Sequence, residues 1–369
     1  SRFSYQGELS MGIMHCFQTS YLHAITRRLF MAKTAPSHIA DDVAEVMINS
    51  NLAGHDSHGI RFLPSYLERI DDGVIVPTAE PEVAKETRNT LTFDGNHGFG
   101  HYVVLRAMER AIEKASQADV CCVSFIRTGH IGRLGQYAEL IAQAGYIGLL
   151  SLGGGGGGGG MVVPFGGAGG MLGTNPIAVG IPTGDDVPFI IDFATSMIAG
   201  AKIAVAESIG ADLPPGCIVD KHGNPSISPA DFADGGFLMP FGRHKGYALC
   251  LLTCLLGGLS GNFDLERGTM NGLFMQVINV SAFTPLQMYQ RGVRAFLDGI
   301  KETPSAPGFD EVLVPGDFEH HSRVHRLAHG IEVPDAIYQE IQEWADRLGV
   351  SLGEEIVTAA DIERYQICD

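Results

Sequence analysis

The chain has no long run of lysine or arginine and no uninterrupted apolar segment of membrane-spanning length. Its 369 residues include 42 acidic and 25 basic side chains, which gives a net charge of -17. Nucleic acids and anionic lipid surfaces both reward basic patches, so this charge argues against either as a partner. We therefore expect a cytoplasmic protein whose partners are small molecules and other protein chains.

Sequence signatures of several common enzyme classes are missing as well. No G-x-G-x-x-G follows a predicted strand with an acidic residue about twenty positions on, which argues against the standard dinucleotide-binding domain. The P-loop and the G-x-S-x-G elbow are also absent, so P-loop nucleotide hydrolysis and the usual serine-hydrolase scheme lose support. The seven cysteines, several of them inside apolar segments, indicate buried free thiols in a reducing compartment, and their spacing predicts no metal site.

What is present is the composition of a globular chain, with 45% hydrophobic and 18% charged residues, long enough for two domains. Apolar residues at helical spacing predict helices over Cys16–Met31, Pro36–Leu52, Val103–Gln117, Leu134–Ala144, Lys245–Leu259, Leu286–Lys301 and Pro334–Leu348. Short or alternating apolar runs predict strands over Thr90–Phe93, Val120–Ile126, Tyr146–Leu152, Ile177–Ile181, Phe189–Phe193 and Gly272–Val280. We therefore expect the mixed α/β class, with a buried sheet covered by helices.

The most informative stretch is Gly54–Gly59, where two histidines and an aspartate stand within four residues just ahead of Arg61. Histidine exchanges protons near neutral pH, and a neighbouring Asp56 would fix the tautomer of an imidazole and raise its basicity. The segment therefore predicts acid/base chemistry beside an anion site. The same residue types also cap helices and form turns, so a purely structural role stays open.

Another histidine, His130, lies in Thr128–Arg133 between a predicted strand and a predicted helix. Such loops expose catalytic side chains, and the surrounding glycines open space for a ligand, although a structural loop histidine is the alternative. The segment Arg243–Tyr247 places three positively chargeable residues at a helix N-terminus. Cations are unfavourable there unless an anion binds, so it predicts a phosphate or carboxylate site, with a solvated basic turn as the alternative.

Eight consecutive glycines, Gly153–Gly160, follow the predicted strand Tyr146–Leu152. Bare amides admit an anion closely, which would suit a phosphate-cradling loop. The simpler interpretations are a flexible loop of low complexity, because the run has no side chains to pack, or positions whose side chains were never established.

The motifs HDSHG, TGHIG, VVPFGG, LGTNP, DFATS, LPPGCIVDKHGNPSISP, GRHKGYAL and VPGD resemble, in order and separation, those of the malate/L-lactate dehydrogenase type 2 family. That family includes ureidoglycolate, sulfolactate and 2,3-diketogulonate oxidoreductases, and the likeness runs from Ala35 to Gly349. The resemblance implies a non-Rossmann fold with a central, mixed or largely antiparallel sheet domain that binds the cofactor, residues 81–299. It also implies that a helical part, residues 1–80, packs with a second one, residues 300–369.

The resemblance further implies a cytoplasmic homodimer that uses NAD or, less favoured, NADP. His58 matches a histidine proposed as proton donor in some members, and His130 matches one proposed as proton acceptor in others. The residues matching segments that contact the dinucleotide are Asp192, Phe193, Ala194, Thr195, Ser196, Lys245, Gly246, Gly316 and Asp317. Two features depart from the family. The arginine expected four residues after the histidine of SHG is Phe62 here, with Arg61 beside it, and the run Gly153–Gly160 replaces a stretch in which relatives carry polar and apolar side chains.

We therefore predict hydride transfer between a nicotinamide and C2 of a small 2-hydroxy or 2-oxo acid such as malate, lactate or ureidoglycolate. His58 or His130 would exchange the proton with the substrate oxygen, and Arg61, assisted by Thr174 or Asn175, would orient the carboxylate. Reduction of a 2-imino acid on the same residues is the nearest alternative. Alternatives from other classes are a nucleotide-binding protein without turnover and a histidine-rich metal hydrolase.

Overall fold

The computed structural model describes residues 13–185 and 187–353. The helices in those ranges are α1 (Thr19–Ala32), α2 (Ser37–Leu52), α3 (Leu63–Asp71), α4 (Gly100–Ala118), α5 (Leu134–Gln143), α6 (Gly200–Ser208), α7 (Pro229–Ala233), α8 (His244–Gly257), α9 (Leu286–Lys301), α10 (Asp317–His329) and α11 (Asp335–Leu348). The strands are β1 (Met14–Phe17), β2 (Glu82–Glu86), β3 (Thr90–Asp94), β4 (Val120–Ile126), β5 (Tyr146–Gly155), β6 (Ile177–Ile181), β7 (Phe189–Phe193), β8 (Ile218–Val219), β9 (Pro225–Ser226), β10 (Phe237–Leu238), β11 (Phe263–Asp264), β12 (Thr269–Asn279) and β13 (Ile331–Pro334). None of the described helices combines the length and apolarity needed to cross a bilayer.

The central sheet is mixed and largely antiparallel, which confirms the predicted fold class. Its strand order is β2-β3-β4-β12-β5-β6-β7, with β11 paired to β12. The pairing of β3 with β4 is parallel, and the other neighbours along this path are antiparallel. The long strand β12 lies in the middle, where Gln276 stands opposite Cys122 on one side and Leu149 on the other.

Helices cover both faces of β5, because successive residues of a strand point to opposite sides. A side chain at Gly148 would meet Ile141 of α5, whereas one at Gly153 would lie 2.2 Å from the backbone of Thr253 in α8. Only glycine therefore lets α8 pack this closely on β5. The first three residues of the glycine run complete this strand, so they are not part of a flexible loop.

A second core joins helices from the N-terminal and C-terminal parts of the described chain. It is built mainly from α1, α2, α3 and α11, with residues such as Leu22, Met47, Leu63 and Ile341 fully buried. The strands β1 and β13 pair beside it in antiparallel fashion. N-terminal and C-terminal segments of the described chain thus contribute to one core. The domain limits stay a prediction, and residues 1–12 and 354–369, which they include, lie outside the described ranges.

Candidate active site

The turn that carries His58 is held by an ion pair from the other end of the chain. Arg326 on α10 donates from both terminal nitrogens to the Asp56 carboxylate, at 2.6 and 2.8 Å, and the Asn51 amide donates to it at 2.6 Å. His58 instead has its Nδ1 3.0 Å from the Ser57 hydroxyl. The prediction that Asp56 orients an imidazole is therefore wrong for His58, because the carboxylate is bound to Arg326 and Asn51.

His58 and His130, which are distant in sequence, lie side by side. Their ring centroids are 5.8 Å apart and their planes differ by 10°. The Phe62 ring is 5.0 Å from His130 and 6.2 Å from His58, stacked on both. The aromatic residue at the position of the expected arginine thus packs against the histidine pair.

His130 is oriented by a group of its own loop and by residues of two helices, α3 and α4. Its Nδ1 lies 2.5 Å from the hydroxyl of Tyr66 on α3 and accepts from the Gly132 amide at 3.4 Å. The same hydroxyl is 3.2 Å from Nε2 of His101 on α4. His101 is fully buried, and its Nδ1 has no hydrogen-bond partner within the described chain. Helix α3 of the helical core and helix α4, which packs on the sheet, therefore meet at His130.

The three histidines are neutral in the folded protein at neutral pH. Burial lowers the pKa of His58 to about 4, with smaller effects from the His55 ring and the Arg133 guanidinium. Burial, together with the neighbouring His58 ring, likewise lowers the pKa of His130 to about 4. Burial holds the pKa of His101 well below its usual value. A neutral imidazole accepts a proton at one nitrogen and donates a hydrogen bond from the other, so the pair suits acid/base chemistry.

These lowered pKa values predict that the folded protein loses stability on acidification at pH values above those at which carboxylates titrate. An unfolded histidine takes up its proton near pH 6.5, whereas the folded rings stay neutral until about pH 4. The unfolded state therefore binds more protons as the pH falls through this window, and the free energy of unfolding decreases. We expect the midpoint temperature of thermal unfolding to decrease when the pH is lowered from 7 to 5, and to decrease less in His130→Asn. An equal loss in that variant would contradict the linkage.

Arg133 forms a buried ion-pair network beside the histidines. Its side chain is 1% exposed, Nε donates to Oδ2 of Asp192 at 3.2 Å, and one terminal nitrogen donates to Glu139 at 3.5 Å. Arg323 of α10 also donates to Glu139, at 3.1 Å, and the Gly135 amide donates to Asp192 at 2.9 Å. The other terminal nitrogen of Arg133 is buried without a partner in the described residues. The site thus holds a buried guanidinium whose charge is compensated by carboxylates and which keeps one spare donor.

The predicted substrate-binding residues are placed differently from one another. Arg61 is exposed and follows His58 in the same connection, whereas Thr174 is half-buried. Asn175 is 3% exposed; its Oδ1 accepts from the Gly154 amide at 3.0 Å, and its Nδ2 lies 3.1 Å from both the Cys250 and Cys254 sulfurs. This placement gives the Asn175 side chain the role of joining β5 to α8.

The predicted cofactor residues of β7 adjoin the start of α8. The Phe241 amide donates to the Thr195 carbonyl at 3.0 Å, so 192–196 lies beside the basic helix start. The hydroxyls of Thr195 and Ser196 are buried and donate to backbone carbonyls, each at 3.0 Å. Phe193 is 41% exposed, Ala194 is half-buried, and Lys245 is exposed in the first turn of α8. Segment 192–196 and the first turn of α8 therefore leave a ring and a cation exposed to a ligand.

Two further cofactor predictions fall on structurally demanding positions. Gly246 is buried, and a side chain there would lie 2.0 Å from the Phe241 carbonyl oxygen. Gly316 has φ +107°, and Asp317 accepts from the Val314 amide at 2.8 Å and from Lys301 at 2.7 Å. This second pair fixes the start of α10, at the opposite end of β7 from Asp192.

Sequence reasoning missed Tyr66, His101, Arg133 and the whole of α10. Arg133 and Tyr66 stand within a few residues of the two recognised histidine motifs. The signal for α10 was its polar spacing, because Glu319, Arg323 and Arg326 recur at helical intervals. The Glu319 carboxylate accepts a hydrogen bond from Nε2 of His55 at 3.1 Å. Helix α10 therefore contacts both the turn that carries His58 and the Arg133 network.

Comparison with known proteins assigns the chain to a family. The malate/L-lactate dehydrogenase profile matches residues 17–342. An L-lactate dehydrogenase of Cupriavidus necator is 34% identical over 339 residues, 89% of this chain and 96% of the relative. The solved sulfolactate dehydrogenase of Methanocaldococcus jannaschii superimposes with a TM-score of 0.84 at 30% identity, covering 92% of this chain and 98% of its own. The Δ1-piperideine-2-carboxylate reductase of Pseudomonas syringae superimposes with a TM-score of 0.77 at 29% identity, covering 90% and 100%. The chain therefore belongs to the malate/L-lactate dehydrogenase family of oxidoreductases.

Proposed function

We propose that this protein catalyses reversible hydride transfer between NAD(H) or NADP(H) and C2 of a small 2-hydroxy or 2-oxo acid. The observation that carries the proposal is the stacked pair of neutral histidines beside the buried Arg133, in a chain of this family. When bound, the nicotinamide supplies or accepts the hydride. The protein has to orient the acid, manage charge on its oxygen and exchange one proton.

One of the two stacked histidines is proposed to exchange that proton. A neutral ring is the competent base for oxidation of a hydroxyl group at pH 7, since both pKa values lie near 4 in the free protein. Reduction needs a proton on the substrate oxygen, and the negative charge of a bound 2-oxo acid raises the pKa of a neighbouring imidazole. The free protein is thus poised for oxidation, and substrate binding favours the protonation that reduction requires.

Arg61 is proposed to receive the substrate carboxylate, because its guanidinium can bind both oxygens and it follows His58 closely in the chain. Thr174 is the half-buried hydroxyl proposed to assist it. Asn175 keeps its bonds to Gly154 and the α8 cysteines, so its proposed contribution is to hold the Thr174 turn in place.

The residues present fit a dinucleotide at the start of α8. Arg243, His244 and Lys245 are all exposed there, at the positive end of a helix, which suits a phosphate group. Phe193 offers an exposed ring next to them. We propose that Lys245 meets phosphate or ribose, while the Asp192–Ser196 segment and the Gly316-Asp317 turn complete the cofactor site through backbone groups.

The test is to mix the protein with NADH or NADPH and a panel of 2-oxo acids, including pyruvate and oxaloacetate, and to follow absorbance. We expect oxidation of one cofactor with at least one acid. Cofactor binding without oxidation across the panel would contradict the proposal and favour the nucleotide-binding alternative. The panel also needs Δ1-piperideine-2-carboxylate, because the similarity to a reductase of that name favours imine reduction as the second candidate.

We also infer that the protein forms a homodimer. Helix α9 has no buried residue and exposes Met288 (55%) and Phe296 (69%), while α8 exposes Leu255 (62%). Such apolar faces on a water-soluble enzyme are typical of subunit contacts. Sedimentation is expected to give twice the chain mass, and Phe296→Asp to weaken the association. A monomeric wild-type protein would contradict this inference.

A further inference from the structure

The two ring nitrogens of His130 are not equivalent, because one of them faces two protein groups. Nδ1 lies 2.5 Å from the Tyr66 hydroxyl and accepts from the Gly132 amide at 3.4 Å. A backbone N–H only donates, so Nδ1 presents a lone pair and carries no proton. The Tyr66 hydroxyl therefore donates to Nδ1, and the single proton of the neutral ring is on Nε2.

The same reasoning extends to His101. The one proton of the Tyr66 hydroxyl is directed at His130, so its oxygen accepts from Nε2 of His101, 3.2 Å away. This leaves Nδ1 of His101 without a proton, and it is the buried ring atom that has no partner in the described residues. Burial lowers the pKa of His101 and raises the pKa of Tyr66, which keeps the first ring neutral and the phenol protonated.

We propose that Tyr66 is a positioning residue that, with the Gly132 amide, locks neutral His130 in the tautomer with its proton on Nε2. This inference rests on the proposed function. During reduction negative charge develops on the oxygen of the 2-oxo acid, and an Nε2–H group is the donor that stabilises it. His58 is not locked in this way, because the Ser57 hydroxyl beside its Nδ1 can either donate or accept. The stacked rings therefore have different roles, with His130 as the fixed hydrogen-bond donor.

Glycine at position 132 belongs to the same arrangement. Its φ is +70°, and a side chain there would lie 2.9 Å from Nε2 of His101. The backbone can therefore turn its N–H towards His130 only without a Cβ at this position. The sequence T-G-H-I-G thus encodes both the histidine and the amide that fixes its tautomer.

The first test is nitrogen NMR of the full-length, ligand-free protein labelled with 15N-histidine. The His130 signals are those that disappear in His130→Asn. We expect an unprotonated Nδ1 and a protonated Nε2 in the wild-type protein at pH 7, and a mixture of tautomers in Tyr66→Phe. A protonated Nδ1 in the wild type, or unchanged nitrogen signals in Tyr66→Phe, would overturn the proposal.

The second test is kinetic and uses the 2-oxo acid that gives the fastest reduction. Tyr66→Phe is expected to lower kcat by about 10- to 100-fold with a smaller change in KM, as loss of an orienting partner does elsewhere. Tyr21→Phe is the matched control, since it removes the hydroxyl of another buried tyrosine, which is bonded to Tyr338 at 3.0 Å, and it should retain wild-type kcat. Equal kcat values in Tyr66→Phe and Tyr21→Phe would overturn the proposal.

A pair of His101 variants covers the case in which Tyr66→Phe does not fold. His101→Gln keeps an N–H for the Tyr66 oxygen and should preserve the His130 signals and most of kcat, whereas His101→Leu should lose both. Identical behaviour of the two variants would overturn the proposal. A wild-type protein that oxidises neither cofactor with any acid would refute the proposed function alone, because the nitrogen spectra need no turnover.

Discussion

Alanine in place of His58 or His130 is expected to lower kcat by about 10²- to 10⁴-fold, while the affinity for the nicotinamide cofactor stays largely unchanged. The two rings stack at 5.8 Å, and each variant removes a group proposed to manage the proton or the charge on the substrate oxygen. The predicted dinucleotide contacts lie on β7, α8 and the start of α10, so they are retained. Turnover is measured by cofactor absorbance, and cofactor affinity by fluorescence titration.

The matched control for these variants is His38→Ala. His38 is a surface histidine, 56% exposed, and pairs with Glu80 at 2.9 Å away from the stacked rings. Its replacement should leave kcat within about twofold of the wild type, since isolated surface pairs contribute little. Wild-type turnover in both His58→Ala and His130→Ala would contradict the assignment of the site.

Methionine in place of Arg133 is expected to lower the free energy of unfolding by about 3–5 kcal/mol, in the range seen when one member of a buried ion pair is removed. Among the described residues, the substitution leaves Asp192, whose side chain is 9% exposed, with the Gly135 amide as its one donor, and takes one of two guanidinium partners from Glu139. An uncompensated buried carboxylate is costly because it has lost its solvation by water. Urea denaturation of Arg133→Met and the wild type measures the difference.

Two further variants decide whether charge or packing causes the loss. Arg267→Met is the surface control, because the Arg267 side chain is 80% exposed and forms a long ion pair, 3.8 Å, with Asp264. This variant should change the free energy of unfolding by less than about 0.5 kcal/mol. The double variant with Asp192→Asn should recover part of the loss, since it removes the unpaired charge. A double variant no more stable than Arg133→Met would show that lost packing of the guanidinium stem is responsible.

Regular elements with a clear apolar period were predictable. The strands β4, β6 and β7 and the helix α9 have the predicted limits, because a buried strand or an amphipathic helix writes its spacing directly into the sequence. The strand β2 was not predicted, since all five of its residues are exposed and three are charged. Helix α10 was not predicted either, because its sequence has little apolar pattern and its side chains contact polar and charged residues such as Asp56 and Glu139.

The glycine run illustrates the same limit. A flexible loop was one of the simpler interpretations of its composition, yet Gly153 lies in β5 against the backbone of α8. Gly156 has φ +97°, and a side chain there would lie 2.0 Å from the Gly268 carbonyl oxygen. Two other positions, Gly158 and Gly159, have open space around them. Which glycines are required depends on the helix and strand that pass beside them, and those are distant in sequence.

Local spacing and residue chemistry were therefore enough to find the helices and strands with a clear apolar period, the family and the two histidine motifs, because each of these is written within a few neighbouring residues. The partners of those residues came from the folded chain. Asp56 turned out to bind Arg326 instead of orienting His58, Asn175 to join β5 to α8, and Tyr66 to contact His130. The physical reason is that hydrogen bonds and ion pairs act over about 3 Å in space, and no periodicity in the sequence records which distant segments the core brings to that separation.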